Sequence, residues 1–95
     1  MKFAAYIDYA PDPAKIKEWR PKHRGYLTDL FNDGKLAASG PFTDDSGALI
    51  VYEAPTKEAA EAILKGDPFF KQGVFAKWEL RPWNAIFVNR DLLGG

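Results

Sequence analysis

The 95-residue sequence contains no cysteine and only one histidine, His23. Without cysteine, disulfide bonds, thiolate metal ligands and a cysteine nucleophile are all excluded, and the composition suits a reducing cytoplasm. A lone histidine with no carboxylate at a helical ligand spacing does not form a metal site, so no metal is predicted. Any chemistry performed by His23 is therefore expected to be acid–base chemistry.

Neither sign of charge predominates, because 13 Lys and Arg residues balance 13 Asp and Glu residues along the chain. With the two signs interspersed, no basic patch for nucleic acid or for an anionic membrane is predicted. Long apolar runs are also missing, and the apolar start reaches Asp8 too early for a signal peptide. We expect a soluble cytoplasmic protein that binds neither nucleic acid nor membrane.

Aromatic residues, by contrast, are abundant, at 15% of a chain that is long enough for only one domain. A domain of this size buries only about two thirds of the surface that its unfolded chain exposes, and oligomerisation is one way to enlarge the core. The last residues, 83–95, form an apolar tail that includes Trp83, Ile86 and Phe87. We interpret residues 1–95 as a single domain whose tail takes part in a dimer.

Hydrophobic periodicity predicts six elements in the order β-α-β-β-α-β. The strands are expected near residues 2–9, 36–42, 48–54 and 74–81, and the helices near residues 14–31 and 56–65. This order is the split βαβ pattern of ferredoxin-like domains, an α+β fold with a four-stranded antiparallel sheet and helices on one face. The open face, which in this interpretation includes Ala4, Tyr6 and Phe75, needs a cover, and a second subunit is the simplest one.

Pro21 complicates the first predicted helix. Proline has no N–H to donate and disfavours helical dihedrals at the preceding residue. We therefore expect a short turn over residues 13–18 and then a main helix that starts near Pro21, since proline is favoured at the first helical position. His23 would lie near a helix N-terminus, where the helix dipole favours a neutral ring that can accept a proton. The alternative is a packed histidine bonded to a backbone carbonyl.

Asp67 is the second candidate for a functional residue. An aspartate before a proline is commonly the N-cap of a following turn, and that interpretation stands beside a functional one. If the two halves of the fold pack as its topology requires, His23 and Asp67 border the same end of the sheet. An aspartate bonded to one imidazole nitrogen fixes the tautomer and makes the other nitrogen more basic.

Two further groups have both a structural and a functional interpretation. Ser39, Gly40 and Pro41 either end a strand or form an edge against which a ligand rests, because glycine inside a strand suggests a bulge or a close backbone approach. Arg20 and Arg24 either anchor a carboxylate of a ligand or are solvated charges on a helix.

Three motifs together resemble the YciI family (YCII-related domain) in their order and spacing: Arg20-Pro21-Lys22-His23, Ser39-Gly40-Pro41 and Asp67-Pro68-Phe69. The resemblance implies a fold of the dimeric α+β-barrel type and a homodimer formed through the open sheet face. It also implies a pocket in which His23 and Asp67 act together. Ser39, Gly40 and Pro41 would line that pocket, and Arg20 and Phe69 are predicted to contact the ligand as well.

The resulting hypothesis is a small cofactor-independent enzyme. His23, oriented by Asp67, would move a proton on a small carbonyl or lactone-like acid, in an isomerisation or an elimination. One alternative is a non-catalytic module that binds a small ligand in the same pocket, and another is a dimeric scaffold. No sequence motif calls for a cofactor.

Overall fold

The computed structural model of the chain describes residues 1–94 and contains four strands and three helices. In chain order these are β1 (Lys2–Tyr9), α1 (Pro13–Asn32), β2 (Leu36–Pro41), β3 (Gly47–Glu53), α2 (Lys57–Lys65), α3 (Pro68–Lys71) and β4 (Phe75–Trp83). The strands form one antiparallel sheet in the order β2-β3-β1-β4. The predicted α+β class and β-α-β-β-α-β order are confirmed, and α3 is a short addition before the last strand.

The central strand β1 has the alternating pattern that the sequence predicts. Phe3, Ala5 and Ile7 are buried against the helices, whereas the residues between them point to the other face. Burial of one such large apolar side chain contributes about 1.5–3 kcal/mol to stability. Because β1 pairs with both β3 and β4, these residues lie at the centre of the core.

Helix α1 corrects the predicted break at Pro21. The helix begins at Pro13, with the Asp12 carboxylate accepting a hydrogen bond from the Lys15 N–H at 3.1 Å, and continues through Pro21. Pro21 is exposed, so the carbonyl that loses its helical partner can bond to water instead. His23 therefore lies in the middle of the helix, and its predicted position near a helix N-terminus, where the dipole would favour a neutral ring, was wrong.

Length alone does not make α1 a membrane helix. It has 20 residues, but none of the helices within residues 1–94 combines such length with the apolarity that crossing a bilayer needs. Its buried positions are instead confined to one face and include Ile16, His23 and Leu30.

The second helix matches its prediction closely. The Thr56 hydroxyl caps α2 by accepting a hydrogen bond from the Ala59 N–H at 3.1 Å. Ala60 and Leu64 are buried beneath it, and Gly66 ends it. Helix α2 thus delivers the chain to Asp67 at a fixed point beside the core.

Phe75 lies on the opposite side of the sheet from the predicted one. The pairing of β1 with β4 shifts register between Asp8 and Tyr9, so that Asp8 pairs with Lys77 and Tyr9 with Phe75. The irregularity breaks the alternation, and Phe75 is buried in the core rather than on the open face.

The open face of the sheet carries exposed aromatic and aliphatic side chains. A groove of about 450 Å³ runs across it and is lined by residues of β1, β3 and β4: Ala4, Tyr6, Leu49, Glu79, Arg81, Pro82 and Trp83. Beyond β4 the tail is also exposed, with Phe87 at 96% of its full surface. The structure thus leaves uncovered the surfaces for which the sequence predicted a partner.

Candidate functional site

A cavity of about 400 Å³ lies between α1 and the end of the sheet where β1 meets the hairpin of β2 and β3. Its volume is in the range of pockets that hold small molecules. The lining residues are Tyr9, Arg20, His23, Arg24, Leu27, Thr28, Phe31, Leu36, Ser39, Gly40, Pro41, Ala48 and Ile50. His23, the only histidine of the chain, is among them.

His23 and Asp67 contact each other directly. The His23 Nδ1 atom lies 2.8 Å from both carboxylate oxygens of Asp67. Asp67 is fully buried, and the His23 side chain is only 8% exposed. Because a carboxylate only accepts hydrogen bonds, Nδ1 is the nitrogen that carries a proton in this pair.

The position of Asp67 follows from its local sequence. Asp67 is the N-cap of α3, and its Oδ1 atom accepts a hydrogen bond from the Phe69 N–H at 2.9 Å. Pro68 occupies the first position of that helix, where no N–H is needed. Both interpretations of the Asp67-Pro68 motif are therefore compatible, since one carboxylate caps the helix and contacts the histidine.

Two aromatic rings fix the plane of the imidazole. Phe69 stacks on His23 with centroids 4.1 Å apart and planes 7° apart, and Phe75 approaches edge-on at 6.0 Å. Phe69 is fully buried and is not part of the cavity lining, which corrects its predicted contact with a ligand. Its position behind the ring makes it a support for His23.

The remaining ring nitrogen, Nε2, is the group that His23 offers to the cavity. Within residues 1–94 it has no hydrogen-bond partner, and it is not among the fully enclosed polar atoms. In the neutral ring that has its proton on Nδ1, Nε2 carries a lone pair. His23 can therefore accept a proton from a molecule in the cavity.

The segment Ser39, Gly40 and Pro41 lies on the cavity lining, which is the position predicted for it from the sequence. These residues form the end of β2, which is the edge strand of the sheet, and all three are exposed. The register shift in this strand falls between Leu36 and Ala38 rather than at Gly40. A side chain at Gly40 would meet no atom within 4 Å, so the glycine leaves open space beside the cavity.

Two arginines of α1 give the cavity a positive lining. The Arg20 Nη2 atom lies 2.6 Å from Oδ1 of Asp45, in the turn between β2 and β3. Arg24 has no acidic partner within residues 1–94. Since no acidic side chain within residues 1–94 lines the cavity itself, an anionic ligand is favoured there.

Several lining residues of α1 were not singled out from the sequence. Leu27, Thr28 and Phe31 follow Arg24 at spacings of three, four and seven residues, which place them on one helix face. The same spacing is equally typical of a helix face packed against a core, so the spacing alone does not indicate a cavity. Tyr9 was read only as the end of a strand.

A second group of polar side chains lies near the buried carboxylate. The Tyr26 hydroxyl donates a hydrogen bond to the Ile63 carbonyl at 2.6 Å, and burial, with the Asp67 charge, raises the pKa of Tyr26. Burial raises the pKa of Tyr52 much further, and the Asp67 charge adds to this effect. The Tyr52 hydroxyl is fully enclosed and has no partner within residues 1–94.

The described part of the chain contains no cluster of three or more His, Cys, Asp or Glu residues that could hold a metal ion. The pair of His23 and Asp67 supplies too few ligands for a typical protein metal site.

Comparison with known proteins places these features in a family. A model of the YCII-related domain matches residues 1–84, and the match ends one residue after β4. The protein named Protein YciI from Escherichia coli O6:H1 (strain CFT073) is 30% identical over 96 residues, which cover 86% of this chain and 98% of the relative. Protein YciI from Shigella flexneri matches with the same identity and coverage.

Two solved structures share the fold. One is 5-chloro-2-hydroxyhydroquinone dehydrochlorinase from Burkholderia phenoliruptrix AC1100 in complex with 2,5-dihydroxybenzoquinone. Its TM-score is 0.77 at 26% identity, over 88% of this chain and 94% of that one. Muconolactone isomerase matches with a TM-score of 0.68 over 94% of this chain and 98% of that one, and at 20% identity the likeness concerns the fold alone.

Proposed function

Because the chain belongs to the YCII-related domain family, we propose that it is a small cofactor-independent enzyme whose catalytic pair is His23 and Asp67. The observation that carries this proposal is the contact between the His23 Nδ1 atom and the buried Asp67 carboxylate at one side of a cavity. A buried carboxylate bonded to one nitrogen orients an imidazole as a base through the other.

The proposed reaction is an elimination or an isomerisation on a small ring compound that carries carbonyl or acidic hydroxyl groups. His23 Nε2 takes a proton from an acidic O–H or C–H bond, and the electron pair left behind forms a new double bond. In an elimination the leaving group departs with its bonding pair as an anion. In an isomerisation the proton returns at a different carbon. Neither reaction needs an oxidant or a reductant.

The substrate class is supported by the cavity and by one structural neighbour. A volume of about 400 Å³ suits a molecule with one ring, and the arginines of α1 suit a negatively charged one. The neighbour at 26% identity is named for removing the elements of HCl from a chlorinated hydroxyhydroquinone. We therefore propose hydroxylated ring compounds, including hydroxyquinones, as ligands of this cavity.

We propose further that two copies assemble through the open sheet face, with the apolar tail contributing to the contact. The support is the exposure of Tyr6, Leu49 and Trp83 along the groove on that face and of Phe87 in the tail. Side chains of this kind, clustered on one surface, are typical of an interface.

Chloride release from 5-chloro-2-hydroxyhydroquinone, measured without oxygen, tests the enzymatic proposal. We expect turnover by the wild type and a rate about 10²–10⁴-fold lower in His23→Gln, the usual contribution of a general base. Lys17→Gln, at an exposed position of the same helix, serves as the matched control and should keep the wild-type rate. Equal rates in wild type and His23→Gln would contradict the proposal.

Binding can be measured separately from turnover. We use 2,5-dihydroxybenzoquinone, the compound bound in the neighbour, as the hydroxyquinone probe. Binding of this probe by a wild-type protein that releases no chloride would favour the alternative, a module that holds a small ligand without transforming it.

A further inference from the structure

Tyr9 occupies a second position on the cavity lining from which a side chain can reach a ligand. It is the last residue of β1, and both Tyr9 and His23 line the same cavity. The two residues also share a neighbour. Phe69 stacks on His23 and meets the Tyr9 ring edge-on, with centroids 5.5 Å apart. A rigid ring therefore fixes the base and the tyrosine relative to each other.

The Tyr9 backbone and ring are held in place independently of any ligand. The Tyr9 N–H donates to the Ser46 carbonyl at 2.8 Å, which ties the end of β1 to the turn before β3. On the other side, the Phe75 ring lies parallel to Tyr9 with centroids 6.4 Å apart. The register shift at this end of β1 is what brings Phe75 opposite Tyr9.

The Tyr9 hydroxyl is protonated at neutral pH and has a cation beside it. Burial raises the pKa of Tyr9 above its ordinary value of 10.0, and the Arg20 guanidinium opposes part of that rise. A neutral hydroxyl is a hydrogen-bond donor, and a neighbouring guanidinium strengthens its attraction for a negatively charged acceptor.

Other polar groups of the lining are less suited to this task. Thr28 already donates its hydroxyl hydrogen to the Arg24 carbonyl at 2.8 Å. Arg20 is bonded to Asp45 at 2.6 Å, and Ser39 lies on the exposed edge strand. Tyr9 combines partial burial, a fixed ring and a hydroxyl hydrogen that no group within residues 1–94 accepts.

We propose that Tyr9 is a second catalytic residue of the cavity, whose hydroxyl donates a hydrogen bond to the substrate oxygen that becomes negative when His23 takes a proton. The inference rests on the proposed function for the direction of that proton transfer. The proton goes to Nε2, the electron pair moves onto the oxygen, and Tyr9 keeps its own proton while stabilising the charge. The substrate class is thereby narrowed to molecules with a carbonyl or enolate oxygen on the side facing Tyr9.

Titration calorimetry with the hydroxyquinone probe tests this role in wild type, Tyr9→Phe and Tyr6→Phe. Tyr9→Phe keeps the aromatic ring and removes only the hydroxyl, so its packing against Phe69 is retained. We expect its affinity for the probe to fall by about 10- to 100-fold, the loss typical of one hydrogen bond to a charged acceptor. Tyr6→Phe loses the same atom on the opposite sheet face and should bind as the wild type does.

A second measurement separates this inference from the enzymatic proposal. In a His23→Gln background, Tyr9→Phe should lower the affinity for the probe by the same factor as in the wild type, because the Tyr9 hydroxyl donates to the probe whether or not His23 is present. Unchanged affinity in Tyr9→Phe, an equal loss in Tyr6→Phe, or no probe binding by the wild type would overturn the inference. Equal chloride release by wild type and His23→Gln would instead overturn the catalytic pair and leave Tyr9 as a ligand-binding donor.

Discussion

The carboxylate of Asp67 holds the middle of α1 and the start of α3 at the same time, through His23 Nδ1 at 2.8 Å and the Phe69 N–H at 2.9 Å. His23 and Asp67 are 44 positions apart in the sequence, so the contact exists only in the folded chain. To cap α3, the side chain at position 67 needs only an oxygen that accepts a hydrogen bond. To keep the proton on His23 Nδ1, that side chain must also have no hydrogen to donate to Nδ1. A substitution that keeps the oxygen and adds a donor separates the two roles.

Asp67→Asn is the substitution that does so. Asparagine is as good an N-cap as aspartate, but its NH₂ group can donate to Nδ1 and thereby favour the tautomer with the proton on Nε2. We expect the nitrogen chemical shifts of the His23 ring to report this change of tautomer. The rate of chloride release should fall by about tenfold or more in the same variant.

The matched control is Asp12→Asn, which alters the aspartate N-cap of α1 away from the cavity. This variant should keep both the wild-type tautomer and the wild-type rate. A His23 tautomer that is the same in wild type and Asp67→Asn would contradict the orienting role of the aspartate.

Local signals in the sequence predicted some features of the fold well. The Thr56 cap and the alternation of Phe3, Ala5 and Ile7 depend on neighbours within a few residues, and both were found. The helix break predicted at Pro21 was wrong, because the preference of proline for the first helical position does not depend on which helix face is exposed to water. Pro21 lies on the exposed face, where a helix can continue through it. The sheet face predicted for Phe75 was wrong, because the register shift between β1 and β4 cannot be recognised in the sequence of either strand alone.

The candidate site needed information from beyond local spacing. The motif resemblance pointed to His23 and Asp67, while the sheet order determines that they meet. Tyr9 lay at a predicted strand end, and nothing in the sequence distinguished it from a core aromatic. Its position on the cavity lining becomes visible only when β1, α1 and the hairpin are assembled.

Tyr52→Phe should stabilise the protein at neutral pH. The Tyr52 hydroxyl is enclosed without a partner within residues 1–94, and an unsatisfied buried polar group costs about 1–3 kcal/mol. We expect the free energy of unfolding, measured by urea denaturation, to rise by about 1 kcal/mol. Tyr26→Phe, which removes a hydroxyl bonded to Ile63, should lower it by about as much. A loss of stability in Tyr52→Phe would indicate that the hydroxyl has a partner after all.

The same residue should influence stability at alkaline pH. Below about pH 10 the tyrosine is neutral in both the folded and the unfolded chain, so its ionisation does not affect stability. As pH rises further the unfolded chain releases the phenolic proton, whereas burial keeps the pKa of Tyr52 raised in the folded protein. Unfolding is then favoured, and Tyr52→Phe should lose less stability than the wild type as the pH rises above about 10. Parallel stability curves for the two proteins would contradict this.

Asp45→Asn should strengthen binding of the hydroxyquinone probe. The substitution releases Arg20 from its ion pair and leaves the cavity lining more positive, while asparagine tolerates the positive φ of 60° at this position. We expect probe affinity to rise by about three- to tenfold and the free energy of unfolding to change by less than about 1 kcal/mol, since the pair is partly exposed.

Asp44→Asn is the matched control for that measurement. Asp44 accepts hydrogen bonds from Ser46 and forms no ion pair within residues 1–94, although its removal changes the net charge equally. Equal gains in the two variants would attribute the effect to overall charge rather than to Arg20.

Assembly through the open sheet face predicts a dimer that one substitution disrupts. Leu49→Lys places a charge among the apolar side chains of that face, where Leu49 is 44% exposed. We expect light scattering at micromolar concentration to give a dimer for the wild type and a monomer for Leu49→Lys. Ala62→Lys, on the exposed surface of α2, should remain a dimer. A wild-type monomer would contradict the proposed interface.

The double attachment of Asp67 also has a consequence for protein engineering. A variant library at Asp67 would alter a helix cap, a buried carboxylate and the contact with His23 in one step, so selection could not improve one property without disturbing the others. The open strand edge formed by Ser39 and Gly40 is less constrained, because a side chain added at Gly40 would meet empty space. Changes in ligand preference are best sought there, with His23 and Asp67, the proposed catalytic pair, left unchanged.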